Sequence, residues 1–398
     1  MPQTLTAPSD TKAVVTDLNA GWYNVVNQAM QITDPTFQLA QGTLGLQATD
    51  SSGLFRMSDA IPAPASVSYY DPSGLSKRSA AYQLLLAALL PETGTDLAAA
   101  LGDMYATWLT FRNAAFQATP PSTLTQLALF TQFANQRLDP RTAATAINTF
   151  KQAANAPLNQ ALDAMSASSS QQQFVDTAQQ TYLLFKYSAS AQAALAAINA
   201  GASAQGISFD SANMNTQLAH TTVDGAASGF YSFFSGGASA SFDQLNTKAA
   251  SSQIIITGYV NKYATLVTDP VGWFTSSEYM RAYAAPNNNR IWDPNGNAGS
   301  WDSFFTQPNG SLARRITSLL LVSDYEIKVT SKATYSQEDY QKITTQASFG
   351  IWPFFSGSVS TSHVTDVTQN SDSSLTFVHR LNPGLIQIWG VFTADAPN

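Results

Sequence analysis

Residues 229–241 read GFYSFFSGGASAS, and residues 350–362 read GIWPFFSGSVSTS. Aligned without a gap, they share seven of thirteen positions, including the run Phe-Phe-Ser-Gly. The similarity continues at the same offset. Ser252 leads into Ile254-Ile255-Ile256, and Ser373 leads into Leu375-Thr376-Phe377-Val378. An Asn follows each of these runs, Asn261 and Asn382, and a second apolar run follows each Asn. A period of this kind takes precedence over local readings. It predicts two copies of one β-unit, about residues 206–270 and 326–392, each of three or four strands. The expected arrangement is a duplicated antiparallel β-domain, either sandwich-like or one large sheet.

Each copy runs from an aromatic strand through a Ser-Gly turn into a strand of small residues. The aromatics are Phe230, Tyr231, Phe233 and Phe234 in the first copy and Trp352, Phe354 and Phe355 in the second. Contiguous aromatics fill both faces of a strand, so some must meet a second layer or a partner. Two readings follow. Ser and Thr alternating with Val or Ala beside an aromatic cluster fits a membrane-inserting hairpin, whose strands need roughly 9–11 residues and an aromatic girdle. The same pattern also fits an ordinary half-buried sheet with the aromatics in its core.

Working outward, residues 206–398 alternate like strands. The expected strands include 254–260, 264–267, 316–322, 325–330, 359–367, 375–380 and 385–392. Between the copies, residues 271–312 form an insertion rich in Trp, Asn, Pro and Gly, expected to be largely irregular. Residues 1–205 read as an Ala-rich helical bundle. Val15, Leu18, Trp22, Val25, Val26 and Ala29 mark a first helix. Helices are expected from Leu75 to Leu90, 96 to 117, 122 to 138 and onward from Asp139, which caps a helix with Pro140 at its first position. Residues 171–200 read as the longest helix, with Phe174, Ala178, Tyr182 and Phe185 as its stripe. Residues 37–71 read as short runs and a Pro-punctuated loop. The expected class is therefore α+β, with a boundary near residue 205.

Composition narrows the function. Charged residues make up 11% of the chain and the net charge is −7. The nineteen basic residues form no cluster, which argues against nucleic acid and against polybasic attachment to anionic lipid. With no cysteine, thiolate metal sites, disulfides and cysteine nucleophiles are excluded. No basic and apolar leader opens the sequence, and no stretch is long enough for a spanning helix. The expected location is therefore cytoplasmic, or outside the cell by a non-classical route.

Catalytic motifs are absent from the sequence. His220, His363 and His379 stand alone, and no nucleophile elbow, phosphate loop or dinucleotide fingerprint occurs. Asp269, Glu278, Asp293 and Asp302 show no spacing that selects a glycosidase pair. In the insertion, Asp293, Asn295 and Asn297 alternate as in a calcium loop. The closing Glu is missing and Pro294 is foreign to that motif, so a turn with side-chain hydrogen bonds is expected. Trp273, Trp292 and Trp301 are candidates to stack on a sugar or sit at a lipid interface, against the alternative of a buried cluster. The leading expectation is a non-enzymatic, membrane-engaging protein of pore-forming or toxin type, without cofactor or metal, binding a lipid bilayer or glycan and forming a homo-oligomer. The alternatives are a self-assembling or glycan- or protein-binding protein, and a hydrolase with an unrecognised site.

Overall fold

A computed structural model describes residues 9–39, 45–46, 50–62, 77–91, 94–118, 122–153, 156–176, 178–214, 245, 248–249, 251–286, 288–294, 298–307, 309–345 and 363–396. The class is α+β. The N-terminal half supplies α1 (Ser9–Ala29), β1 (Phe37–Leu39), β2 (Gly45–Leu46), α2 (Ser52–Ser58), α3 (Arg78–Ala88) and α4 (Gly94–Leu101). It continues with α5 (Met104–Gln117), α6 (Gln126–Arg137), α7 (Pro140–Gln152), α8 (Pro157–Ser166), β3 (Gln171–Val175), β4 (Thr181–Phe185) and α9 (Ala191–Asn199). The C-terminal half supplies β5 (Ile207–Asp210), β6 (Ile254–Val267), α10 (Ser276–Tyr283), α11 (Trp301–Phe305) and β7 (Arg314–Ser331). It ends with α12 (Gln337–Thr345), β8 (His363–Gln369), β9 (Leu375–Leu381) and β10 (Ile386–Asp395).

The main sheet is built around β7. On one side β6 runs along it, and β5 lies outside β6. On the other side β10 pairs with the first half of β7 and β9 with the second half. Outside these lie β1 and β2 on β10, and β8 on β9. Every pairing among the described residues is antiparallel. Ile254 and Leu375 face the same residue, Ser331, from its two sides, and Val260 and Leu381 likewise face Tyr325.

The register of one strand pair recurs in another. Ile207 faces Gly258 and Asp210 faces Ile255 in β5–β6. Ile327 faces His379 and Thr330 faces Thr376 in β7–β9. The second pair reproduces the first, 120 residues on in its first strand and 121 in its second.

A bend row divides the sheet. Asp324 has φ 51°, and Asn261 Nδ2 donates to Asp324 Oδ2 at 3.0 Å. Across this point the core-facing residues of β7 pass from Leu320 and Val322 to Tyr325, Ile327 and Val329, a step of three where a flat strand steps by two. The turn after Asn382, with Gly384 at φ 87°, lies at the same level between β9 and β10. The two Asn residues singled out in the sequence thus sit along the bend.

One face of the sheet is covered along its length. Leu18, Trp22, Tyr23, Val26 and Met30 of the first helical segment pack there with Ile256, Ile327, Val329, Phe377 and Trp389. Burying those five side chains contributes on the order of 10 kcal/mol of gross transfer energy. Ile343 of α12, Leu245 and Ala249 complete the layer. On the opposite face, Leu54 and Met57 of α2 and Ala194 and Ile198 of α9 cover only the β10 half, meeting Leu319, Leu321 and Ile388. Among the described residues nothing covers the β9 half of that face, and Thr257, Tyr259 and Lys328 are exposed there. Elements from both sides of residue 205 therefore share one sheet.

Helices α4 to α7 surround fully buried Trp108, with Phe130 edge-on at 4.8 Å and Phe150 stacked on Phe130 at 4.4 Å. The Asp139 carboxylate accepts from Arg141 N and Thr142 N, and Pro140 follows it, as the sequence predicts.

Several expectations need correction. Residues 171–185 form a hairpin, and only 191–199 are helical. Asp176 Oδ1 accepts from Ala178 N and Gln180 N, and Gln179 takes φ 61°, which closes a turn that a helix cannot contain. Phe174 and Tyr182, read as one helical stripe, are cross-strand partners with rings 5.8 Å apart. Within 37–71, Phe37–Leu39 is a buried strand: Phe37 faces Phe392, and a side chain at Gly390 would collide with the Phe37 ring. The strands expected at 254–260 and 264–267 are one, as are those at 316–322 and 325–330, because the bend does not break the ladder. The insertion 271–312 contains α10 and α11 and builds part of the core.

Candidate functional site

The candidate site is the end of the sheet where β5 and β7 finish and β6 and β9 begin. Both strand pairs are closed there by long connections, residues 211–253 and 332–374, each 43 residues long. Each connection carries one copy of the aromatic motif. Phe230, Tyr231, Phe233, Phe234, Trp352, Phe354 and Phe355 lie outside the described residues, but the anchors of both segments are described.

At the first anchor, the Asp210 carboxylate accepts from Ala212 N, Asn213 Nδ2 and Gln253 Nε2. Ser211 Oγ accepts from Ile254 N at 2.8 Å. These contacts hold the Asp210 carboxyl below its ordinary value, the Gln253 bond most of all. At the second anchor, Ser331 Oγ lies 2.8 Å from the Tyr335 hydroxyl and 3.0 Å from Ser252 Oγ, which belongs to the first connection. Burial pushes the Tyr335 hydroxyl up to about 12, so it stays protonated and can donate.

The two connections are tied together. Lys248 Nζ donates to Asp339 Oδ2 at 3.0 Å and sits 5.1 Å from the centre of the Tyr335 ring. Burial pushes the Asp339 carboxyl up, but bonds from Lys248 and Ser336 more than offset it and leave it below the ordinary value.

Strand β8 has its own fastenings. Arg380, on the open face, donates to Glu326 Oε2 of β7 at 2.8 Å and to Asp366 of β8. The Arg380 hydrogen bond is the main reason that the Glu326 carboxyl lies below its ordinary value. The turn from β8 to β9 is set by Asp372, which accepts from Ser374 N, Ser374 Oγ and Lys332 Nζ. Those contacts, led by the Ser374 hydroxyl, lower the Asp372 carboxyl to about 2.

The candidates from the insertion lie elsewhere. Trp273 is fully buried, donates from Nε1 to Lys186 O at 2.9 Å, and packs with Tyr82, Phe185 and Tyr187. Trp292 is buried, donates to Ala285 O, and packs with Phe304 and Phe305. Trp301 is half-buried, donates to Tyr283 O, and packs on Tyr283 and Phe305. These three rings are structural members of one aromatic core. Asp293 N donates to Ala88 O, which ties the insertion to the end of α3. Asn295 and Asn297 lie outside the described residues. Among the described residues no group of three His, Asp or Glu is placed to hold a metal ion, and no helix is long and apolar enough to cross a membrane.

Sequence reasoning missed Lys248, Asp339, Glu326, Asp366, Asp372 and Arg380. Their only signal is scarcity: in a chain with so few charges, isolated ionic residues gathered near one repeated motif merit attention. Comparison with family models, curated proteins and solved structures finds no match for this chain.

Proposed function

We propose that the protein is a non-enzymatic, membrane-engaging protein of pore-forming type, in which the segments 211–253 and 332–374 supply the membrane contacts. The observation that carries this reading is the pairing of two features. Two connections of equal length carry the same aromatic motif, and they leave and re-enter the sheet at one end and in one register. Extended as hairpins, 43 residues supply two strands of about 20, more than the roughly 9–11 a bilayer-crossing strand needs. Such hairpins would prolong β5–β6 and β7–β9 in their present register, with β8, which belongs to the second segment, leaving β9. An internal duplication of the β5–β6 unit into β7–β9 accounts for the matched register. Backbone groups in hydrocarbon must all be paired, so the hairpins require a closed barrel and hence several copies.

Dye release from phosphatidylcholine liposomes, at neutral and acidic pH, tests the reading. Leakage at micromolar protein is expected. A variant carrying Phe233→Ser, Phe234→Ser, Phe354→Ser and Phe355→Ser should leak at least tenfold less, with its circular dichroism unchanged. No leakage and no co-flotation with lipid at either pH removes the reading.

A further inference from the structure

We infer that copies of this chain join sheet edge to sheet edge, with β5 of one copy replacing β8 on β9 of the next. The inference deepens the assembly part of the reading above and rests on it. The register of the described strands carries it.

In the repeat, β5–β6 corresponds to β7–β9. The edge of β6 that faces away from β5 is taken by β7, from Ile254 opposite Ser331 to Val260 opposite Tyr325. The edge of β9 that faces away from β7 is taken by β8, from Leu375 opposite Gln369 to Leu381 opposite His363. Strand β8 therefore occupies on β9 the place that the following pair's first strand occupies on β6. It acts as a stand-in at the end of a series that would otherwise continue. The strand that corresponds to β7 in the next unit is β5 of a second copy.

Direction agrees with this assignment. Both β5 and β8 run opposite to β6 and β9, so β5 can replace β8 and keep the sheet antiparallel. Adding β5 outside an undisturbed β8 would give a parallel pair and break the alternation. The ladder bonds that β9 gives up to β8 are re-formed with the incoming strand, so the exchange costs little in backbone pairing. Beyond the ladder, β8 is held by the Asp366–Arg380 ion pair, the Asp372 turn, bonds from Gln369 Nε2 to Tyr335 O and from the Tyr340 hydroxyl to Val367 O, and the packing of Val367 on the covered-face core. The proposal calls for exchange at both edges and does not require either to stand vacant. The joint between β6 and β7 fixes the expected register: Leu375 opposite Ser211, Val378 opposite Ser208, and Thr376 opposite Asp210 of the next copy.

The absence of cysteine makes this directly testable. Single variants Ser208→Cys and Val378→Cys, both off the covered face, are mixed with zwitterionic phosphatidylcholine vesicles and oxidised. A disulfide-linked dimer is expected, and Asp210→Cys mixed with Thr376→Cys reads the same register at a second position. A double variant, Asp366→Cys with Val378→Cys, ties β8 to β9 within one chain, because these residues face each other. Oxidised, it should assemble at least tenfold less by mass photometry, and reductant should restore assembly. The joint is overturned if neither intermolecular pair links, if Ser208→Cys links to Asp366→Cys instead, or if the oxidised lock leaves assembly unchanged. Cross-linking without leakage keeps the joint and removes the membrane reading. Leakage without cross-linking does the reverse.

Discussion

Trp273 shows how a residue that looks functional in sequence can be fully occupied by structure. Its ring touches Tyr82, Phe185, Tyr187 and Phe274, and its one polar atom is satisfied by Lys186 O. Trp273→Ala should cost about 3–5 kcal/mol in a urea titration, the usual range for emptying a large aromatic site. A loss under 1 kcal/mol would mean that the ring is not a core member. Asp372 is the opposite case, a small exposed residue with a defined task. Its folded-state value of about 2 lies below the unfolded value of about 3.9. The stability it contributes is therefore fully present above about pH 4 and is lost as pH falls through about 2. The stability difference between wild type and Asp372→Asn should shrink as pH falls from 5 to 2 in urea titrations. A difference that grows over that range contradicts the assigned contacts. Asp59, whose carboxyl burial pushes upward, responds to acid in the opposite sense, so the total stability alone does not isolate Asp372.

At the scale of elements, legibility followed local cause. The cap at Asp139 and Pro140 acts within one turn and was readable. The strand sequences Ile254–Val260 and Leu375–Arg380 were readable because one face is buried and the other open, which leaves a period of two. The hairpin at 171–185 was not, because Phe174, Ala178, Tyr182 and Phe185 fit a helical period while the deciding turn rests on the side chain of Asp176 and a positive φ at Gln179. Phe37–Leu39 was hidden for another reason. It is a three-residue strand whose partner, Phe392, lies more than 350 residues away, and no local pattern encodes that pairing. The ion pairs around Arg380 and Lys248 were invisible for the same reason, since each joins residues brought together only by strand register.

For the whole molecule, the two copies of the motif in the sequence fall on two strand pairs of like register, β5–β6 and β7–β9, side by side in a bent sheet with both long connections at one end. The helices on the covered face support that sheet, and the open face beyond the bend carries the Glu326–Arg380–Asp366 ladder beside strand β8. The central claim is that residues 229–241 and 350–362 insert into a bilayer as hairpin ends, with an extended run on each side of the Ser-Gly turn. The most direct measurement places one cysteine at a time along both stretches, labels it with an environment-sensitive dye, and reads emission with liposomes present. Blue-shifted emission is expected at every second position on each side of the Ser-Gly turn in both stretches. Shifts that recur every three to four positions, or no shift at any position while the protein is bound to lipid, would contradict it.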